Sequence, residues 1–518
     1  MSKSSDNLIK VIFLTGAIIG LLFTLFNFRN NNGDPLINLV FAKSFRNGFF
    51  YYGNEGPKSG STSPLMVLIT IPFYLIWKEP LLIYIKIFYF LIFLLAGYFL
   101  SLLVKKIFNS PIVTYITLFL FFGNIYFGYL TATLYDSILL FLLLNLFYLV
   151  LIEIYLSFKN EKEVNYSQFI LLGFLGGLSI LARPEAILAI AISFLWFLFL
   201  ITKVDGKNYY KKFTISFLIF LMLAGGFYLI LAYQTRHLIP TSVLARATLE
   251  SNGFIKVLKK LYLNRWWVYY MFFAYLVLSF FAFIKFRKIK TDFPLEPINL
   301  FFVTILIYLP IFMYSGEVRY ISASFPALII LSSGFLMFFL ESLKKQYNFY
   351  IQLFILSICF LFYIFVVLRI GGSLPFYSEE VIFEKELCKI LNEIAKPTDK
   401  VLIYEVQAQY CLKPQTISLD GIVGGEILPY FRKRSNLVEF FERYRPSYLV
   451  VANYPLYREE YKNTIIEEIY HYNKELKIGE SIKLHNITFT KIAENTDDKL
   501  KIKGMTFWES IYKIQYEI

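Results

Sequence analysis

The stretch GDPLINLVFAKSFRNGFFYYGNEGPKSGSTSPL, residues 33–65, decides how the chain is interpreted, because it is polar and lies between two strongly apolar segments. Asp34 and Pro35 open it, and apolar residues then recur at helical spacing as far as Lys43 and Arg46. Proline suits the first position of a helix, and an amphipathic segment with basic residues is typical of helices that lie along a membrane surface. We therefore predict a surface helix that holds Asp34 in or just before its first turn.

The composition on either side of this stretch is that of a multi-pass membrane protein. Of the 518 residues, 57% are hydrophobic, and the mean hydropathy is +0.57. Apolar runs of about 17–25 residues, each long enough to cross a bilayer, recur through the first 370 positions. The segment 64–77 is shorter and suits a re-entrant or interfacial helix. We predict an α-helical membrane module with about 11 spans, at residues 9–27, 81–103, 111–128, 131–156, 168–181, 184–201, 213–234, 267–285, 299–314, 320–341 and 350–370.

The net charge of +14 sets the expected topology. Loops rich in lysine and arginine, such as those at Lys105–Lys106 and Lys211–Lys212, fall on one side of the spans, which the positive-inside rule makes cytoplasmic. The N-terminus joins them. The other side receives a first outer loop at 28–63, a long outer loop at 235–266 and everything after 371. Because topology explains the charge, nucleic acid is not expected as a partner, and the plasma (inner) membrane is the expected location.

Residues 371–518 differ in composition from the membrane module at 1–370. Helical patterns alternate there with short β segments such as KVLIY, PQTISLDG and SYLVVANY, which predicts a soluble, extracytoplasmic α/β domain. Cys359, Cys388 and Cys411 show no paired spacing, so neither a disulfide framework nor a C-x-x-C metal site is expected.

Several ionisable residues fall at the outer ends of the predicted spans. For each of them a simple structural role is open: Asp34 as a solvated loop acid, Asp136 as a helix cap, and Arg183 with Glu185 as a local ion pair at a tight turn. Together they suit a catalytic role in group transfer, because a carboxylate can deprotonate an acceptor hydroxyl and an arginine can bind a phosphate leaving group. The full set on this face also includes His237, Arg246 and Arg319.

The order of these residues resembles a known family, the GT-C superfamily of glycosyltransferases that use polyprenyl-phosphate sugars. Asp34 matches the second acid of the family's acidic pair, with Gly33 in place of the first. The segments GSTSPL, TLYDS, GGLSILARPEAIL, HLIPTSVLARA, VRYISASFP and TISLDGIVGGEI then follow in the family's order. The closer similarity is to the branch of the mycobacterial terminal arabinofuranosyltransferase.

The resemblance implies a membrane glycosyltransferase, inverting at the anomeric carbon, that moves a sugar from a polyprenyl-phosphate donor to a glycan, glycolipid or protein of the cell envelope. Asp34 would be the general base. Donor phosphate would be bound by Arg183, Arg319 and Arg246. Residues expected to bind or orient substrate are Asp136, Glu185, His237 and Asp420. No cofactor is certain; a divalent metal between Asp34 and Asp136 is left open.

Three other functions are compatible with the sequence. A flippase or transporter for a lipid-linked sugar would also use arginines for phosphate, although transporters tend to place charges near the bilayer midplane. A polysaccharide ligase or polymerase would use the same donors, and the long outer loop at 235–266 suits it. A noncatalytic scaffold would use the acids as helix caps.

Overall fold

The structure is a computed structural model. The residues it describes are 3–29, 33–48, 50–53, 56–61, 63–77, 81–202, 207–237, 240–241, 266–288, 295–315, 318–346, 387–404, 406–419, 423, 426–432, 437–452, 461, 463–473, 475–502 and 505–517.

The apolar part of the chain is helical where it is described. In chain order its helices are α1 (Lys3–Phe26), α2 (Gly33–Lys43), α3 (Pro64–Ile76), α4 (Leu82–Phe108), α5 (Pro111–Phe122), α6 (Ile125–Ala132), α7 (Ser137–Lys159), α8 (Tyr166–Ala182), α9 (Ala186–Thr202), α10 (Lys207–Thr235), α11 (Trp266–Lys288), α12 (Leu295–Ser315) and α13 (Phe325–Gln346). A 3-10 helix, Val318–Ser324, leads into α13.

Among these described helices, five are long and apolar enough to cross a membrane, and α5 with α6 makes a sixth if their 55° bend lies within one span. Helix α3 has 13 residues, too few for a full crossing, and Pro64 at its start follows the capping residue Ser63. The predicted span at 350–370 lies outside the described residues. A multi-pass helical protein is confirmed, and the figure of 11 spans stays a prediction.

Helices α8 and α10 pack closely because α8 has glycines on the face that meets α10. A Cβ built on Gly173 would lie 2.1 Å from the Ser216 carbonyl oxygen, and one on Gly177 would lie 2.8 Å from the Leu223 side chain. In membranes, small residues spaced four apart allow helix backbones to approach in this way. The contact fixes the position of the end of α8, where Arg183 follows.

The described residues after 386 contain a β-sheet with flanking helices and are called here the C-terminal unit. Its strands are β1 (Lys400–Ile403), β2 (Gln415–Ser418), β3 (Tyr448–Ala452), β4 (Ser481–Leu484), β5 (Ile487–Ile502) and β6 (Met505–Tyr516). They form a mixed sheet in the order β2-β1-β3-β6-β5-β4, parallel through β2-β1-β3 and antiparallel beyond. Its helices are α14 over 387–394, α15 (Leu428–Arg432), α16 (Val438–Tyr444) and α17 (Ile465–Asn473).

Both faces of this sheet are covered. One face packs Leu402 and Leu449 against Phe441 of α16, and the other packs Val401 against Leu391 of α14. The three predicted β segments coincide with β1, β2 and β3. An α/β sheet unit is therefore present, while the predicted boundary at residue 371 lies outside the described residues.

The sequence predicts no disulfide framework, but the described residues contain a disulfide. Cys388 and Cys411 are bonded, with their Cα atoms 5.9 Å apart and a sequence separation of 23. Cys388 lies on α14, and Cys411 directly follows the 3-10 turn Val406–Tyr410. Because both segments pack over one face of the sheet, the fold brings the two thiols together although their spacing matches no familiar pattern.

The glycine contact predicts an asymmetry between two similar substitutions. Gly173→Ala inserts a methyl group against the α10 backbone and should lower the free energy of unfolding by about 1–3 kcal/mol. Gly225→Ala, on α10, is the control, because nothing lies within 4 Å of its Cβ position. Thermal melting of the purified protein in detergent measures both. Equal melting temperatures for the two variants would contradict the close packing.

Candidate functional site

Arg183 lies at the centre of a buried group of charges, called here the arginine cluster, which also contains Asp136, Ser137 and Glu185. Its Nη1 donates to Asp136 Oδ1 at 2.5 Å and to Ser137 Oγ at 3.2 Å. Its Nε and Nη2 donate to Glu185 Oε1 at 3.1 and 2.6 Å. Two carboxylates from different helix junctions therefore share one guanidinium.

Local structure explains how these side chains meet. Arg183 is the extended residue between α8 and α9, and its backbone N–H ends α8 by donating to the Ser179 carbonyl. Asp136 immediately precedes α7, yet its side chain makes no capping hydrogen bond there. Its carboxylate is bonded to Arg183 instead, so the helix-cap interpretation of Asp136 does not describe this structure.

Burial makes the arginine cluster sensitive to the loss of any one charge. The side chains of Arg183 and Asp136 are each 6% exposed. The Tyr308 hydroxyl donates to the Glu185 carbonyl at 2.5 Å, which ties the cluster to α12. A buried ion pair is costly to break from one side, because the remaining charge stays desolvated. The predicted ion pair of Arg183 with Glu185 is present, and Arg183 forms a second ion pair with Asp136.

The predicted helix at the start of the first outer loop is present as α2, with Asp34 in its first turn. The Asp34 side chain lies outside the described residues. Residues 35–42 are buried, because α2 packs against α3 on one side and the 3-10 turn Val406–Tyr410 of the C-terminal unit on another. Leu36 belongs to the same buried cluster as Tyr89 and Leu134, close to Asp136 in the chain.

A small apolar cavity, partly open to its surroundings, lies between α2, α3 and α10. Its lining is mostly aromatic and aliphatic, with one cation and two hydroxyls. The lining residues are Phe41, Phe45, Phe50, Lys58, Ser59, Ser61, Pro64, Val67, Leu68, Ile71, Phe227 and Leu231. Phe227 lines it from α10, the helix that packs against α8, and Arg183 follows the end of α8.

Lys58, Ser59 and Ser61 form the polar end of this cavity. The Ser61 hydroxyl donates to Asn38 Oδ1 at 2.8 Å and is thus satisfied. Ser59 is 2% exposed, and its hydroxyl has no hydrogen-bond partner in the part of the chain that the structure describes. Buried hydroxyls are normally paired, so an orphan hydroxyl in a cavity wall that also includes Lys58 suits an anionic ligand whose oxygens accept hydrogen bonds.

Lys58 also joins the first outer loop to the C-terminal unit. Its ammonium forms an ion pair with Glu426, and the two side chains are 17% and 15% exposed. Burial raises the pKa of the nearby Tyr444 phenol; Arg443 and Lys58 oppose this rise and Glu426 adds to it. Further contacts hold the same interface: Lys43 Nζ donates to the Tyr410 carbonyl at 2.9 Å.

The remaining predicted residues are only partly described. His237 follows α10, is partly exposed, and its backbone N–H donates to Thr235 Oγ1 at 3.3 Å. Thr241 N–H donates to the Ser59 carbonyl at 3.1 Å, so the start of the long outer loop meets the first outer loop. Arg319 is on the 3-10 helix that packs against α7 and α9, and its side chain lies outside the described residues. Arg246 and Asp420 also lie outside them.

Sequence reasoning missed Lys58 and Ser59. A signal was present in KSGSTS, residues 58–63, where a basic residue precedes a run of glycine and hydroxyl residues. Such runs supply the small donors that surround phosphates. For metals, the described residues contain no group of three or more His, Cys, Asp or Glu side chains that could hold an ion.

The described helices and the appended sheet make this a polytopic helical membrane fold with an α/β unit. No protein-family model matches the chain, and no curated protein matches it in sequence. Among solved structures it is similar to ArnT from Cupriavidus metallidurans bound to undecaprenyl phosphate, with 11% identity, TM-score 0.56 and 97% of each chain covered. The apo state of the same protein gives 10% identity, TM-score 0.58 and the same coverage. The chain therefore shares the overall fold of ArnT.

We predict that removing only the cation of the arginine cluster destabilises the protein more than removing the cation together with both carboxylate charges. Arg183→Met leaves the buried Asp136 and the half-buried Glu185 without their cation and should cost about 3–5 kcal/mol of unfolding free energy. The triple variant Arg183→Met, Asp136→Asn, Glu185→Gln leaves no unpaired charge and should lose less. Melting temperatures in detergent test this order, and a triple variant less stable than Arg183→Met would contradict it.

Proposed function

We propose that this protein is an integral-membrane glycosyltransferase that takes its sugar from a polyprenyl-phosphate donor. The observation that carries the proposal is the apolar cavity whose polar end combines Lys58 with the orphan hydroxyl of Ser59. Apolar walls suit an isoprenoid chain, and an ammonium with a hydroxyl suits its phosphate. ArnT, which shares the fold, has been solved with undecaprenyl phosphate bound. This likeness supports the class of donor.

The proposed reaction is a single displacement. An acceptor hydroxyl attacks the anomeric carbon, its proton passes to the Asp34 carboxylate, and the bond from that carbon to the phosphate oxygen breaks. The lipid phosphate leaves with the electron pair and is stabilised by Lys58. Attack opposite the leaving group inverts the anomeric carbon. The position of Asp34 at the start of α2, on the helix that lines the cavity through Phe41, supports its role as base.

In this proposal Lys58 takes the role of first phosphate ligand, and Arg183 acts mainly by fixing Asp136 and Glu185. Four hydrogen bonds from Arg183 to Asp136, Ser137 and Glu185 favour this assignment. The Asp136 and Glu185 carboxylates then orient the sugar or acceptor near the cavity. Arg319, Arg246, His237 and Asp420 keep their predicted contributions to phosphate and substrate binding as proposals.

We further propose that the N-terminus is cytoplasmic and that the site and the C-terminal unit are extracytoplasmic. The disulfide between Cys388 and Cys411 supports this orientation, because disulfides persist in oxidising compartments and are rare in the cytosol. The acceptor would be a cell-envelope glycan, glycolipid or protein. The branch similar to the mycobacterial arabinofuranosyltransferase, like the choice between a hexose and a pentose, stays a prediction.

Asp34→Asn tests the base. It should lower sugar transfer by about 100-fold or more while leaving binding of undecaprenyl phosphate unchanged, because only proton removal is lost. Transfer is measured in proteoliposomes with a panel of polyprenyl-phosphate sugars, and binding is measured separately. A scaffold or flippase would tolerate the change, so retained transfer would reject Asp34 as the base, and absent transfer by the wild type would favour a flippase.

Lys58→Met tests the phosphate site. Loss of one charge-assisted contact should weaken undecaprenyl phosphate binding by about 10–100-fold, since such bonds contribute about 1.5–3 kcal/mol. Lys413→Met, at an exposed lysine of the C-terminal unit, is the control and should bind as the wild type does. Equal affinity of Lys58→Met and the wild type would rule out this site.

A further inference from the structure

Lys58 contacts two different surroundings at once. On one side it lines the apolar cavity, where it is the single cation among the described lining residues. On the other it is paired with Glu426, which lies in the turn before α15 of the C-terminal unit. An ammonium group has three donors and no acceptor. The Lys58 ammonium can therefore donate to Glu426 on one side and to an anion bound in the cavity on the other.

The Glu426 carboxylate is only half satisfied in this pair. Its Oε1 accepts from Lys58, whereas its Oε2 is buried with no hydrogen-bond partner in the described parts of the chain. An unpaired buried acceptor loses its hydration without compensation. The pair therefore neutralises the charge of Lys58, but it leaves Glu426 Oε2 desolvated without a hydrogen bond. Such a weakly held carboxylate is expected where a counterion can be exchanged for another anion.

We propose that Glu426 is an internal counterion that the donor phosphate displaces from Lys58. This rests on the proposed function, because it takes a lipid phosphate as the ligand of the cavity. In the absence of donor, the Glu426 carboxylate supplies a counter-charge to the Lys58 ammonium beside the apolar walls. The donor phosphodiester has the same single charge as a carboxylate but further ester oxygens, and the monoester that remains after transfer carries more charge; the Ser59 hydroxyl on the cavity wall can donate to either of them.

The surrounding contacts allow this exchange without undocking the C-terminal unit. Lys43 donates to the Tyr410 carbonyl, and Gln415 Nε2 donates to the Tyr52 carbonyl at 3.0 Å. Neither contact involves Lys58 or Glu426. Donor binding would thus free the Glu426 carboxylate while the other contacts of the interface stay in place. This links donor occupancy to the segment of the C-terminal unit that follows β2.

Affinity for undecaprenyl phosphate, measured with the full-length protein in nanodiscs, tests the exchange. Glu426→Gln removes the competing charge and should tighten binding by roughly 5–10-fold, about 1–1.4 kcal/mol. Glu426→Asp keeps the charge and should bind as the wild type does. Glu442→Gln, at an exposed acid of α16, is the control. Unchanged or weaker binding by Glu426→Gln would overturn the proposal.

The double variant Lys58→Met, Glu426→Gln separates this proposal from the proposed function. It should bind no more tightly than Lys58→Met, since Glu426 acts through Lys58. A tightening that persists without Lys58 would overturn the exchange as the cause. If Lys58→Met alone binds like the wild type, the phosphate site itself fails.

A second measurement uses the wild-type protein and so does not depend on the folding of a variant. Carbodiimide labelling followed by mass spectrometry reports the reactivity of the Glu426 carboxylate. Undecaprenyl phosphate should increase labelling of Glu426 at least severalfold and leave Glu442 unchanged. Equal or lower labelling of Glu426 with the lipid present would contradict displacement.

Discussion

A cation buried against apolar walls must be paired, and this requirement organises both charged parts of the site. Arg183 meets it with acids of its own module, because Asp136 and Glu185 together accept three of its hydrogen bonds. Lys58 meets it with a carboxylate from the C-terminal unit. The ion pairs of Arg183 hold helix junctions together. The Lys58–Glu426 pair leaves Glu426 Oε2 without a hydrogen bond and borders a cavity, so a ligand in that cavity could compete for Lys58.

The two parts of the chain build the site jointly. Helix α2 is buried between the membrane module and the turn Val406–Tyr410, and the disulfide at Cys411 lies directly after that turn. The start of the long outer loop reaches the first outer loop through Thr241 and Ser59. Segments far apart in sequence therefore converge on the polar end of one cavity. A C-terminal unit placed in this way belongs to the site as much as the helices do.

Sequence patterns predicted the elements whose signals are local. Apolar runs of sufficient length gave the helices, Pro35 and the spacing after it gave α2, and the buried β segments gave β1, β2 and β3. The adjacency of Arg183, Pro184 and Glu185 also indicated an ion pair, because residues so close at a helix junction can meet. Grouping Asp136 with them required the positive-inside rule, which assigns span ends to a side of the membrane.

Contacts between distant segments were beyond such reasoning. The disulfide of Cys388 and Cys411 depends on how α14 and a 3-10 turn cross one face of the sheet. The pairing of Lys58 with Glu426 spans 368 positions and two units. The orphan state of the Ser59 hydroxyl follows from burial, which a polar loop sequence does not reveal. In each case the role of the residue depends on its surroundings in the folded chain, which the local sequence does not reveal.

The most direct measurement is a cryo-electron microscopy structure of the wild-type protein in nanodiscs with undecaprenyl phosphate. We expect lipid density in the cavity between α2, α3 and α10, with phosphate oxygens within about 2.7–3.0 Å of Lys58 Nζ and Ser59 Oγ. Lipid phosphate bound elsewhere, with this cavity empty and Lys58 still paired with Glu426, would contradict it.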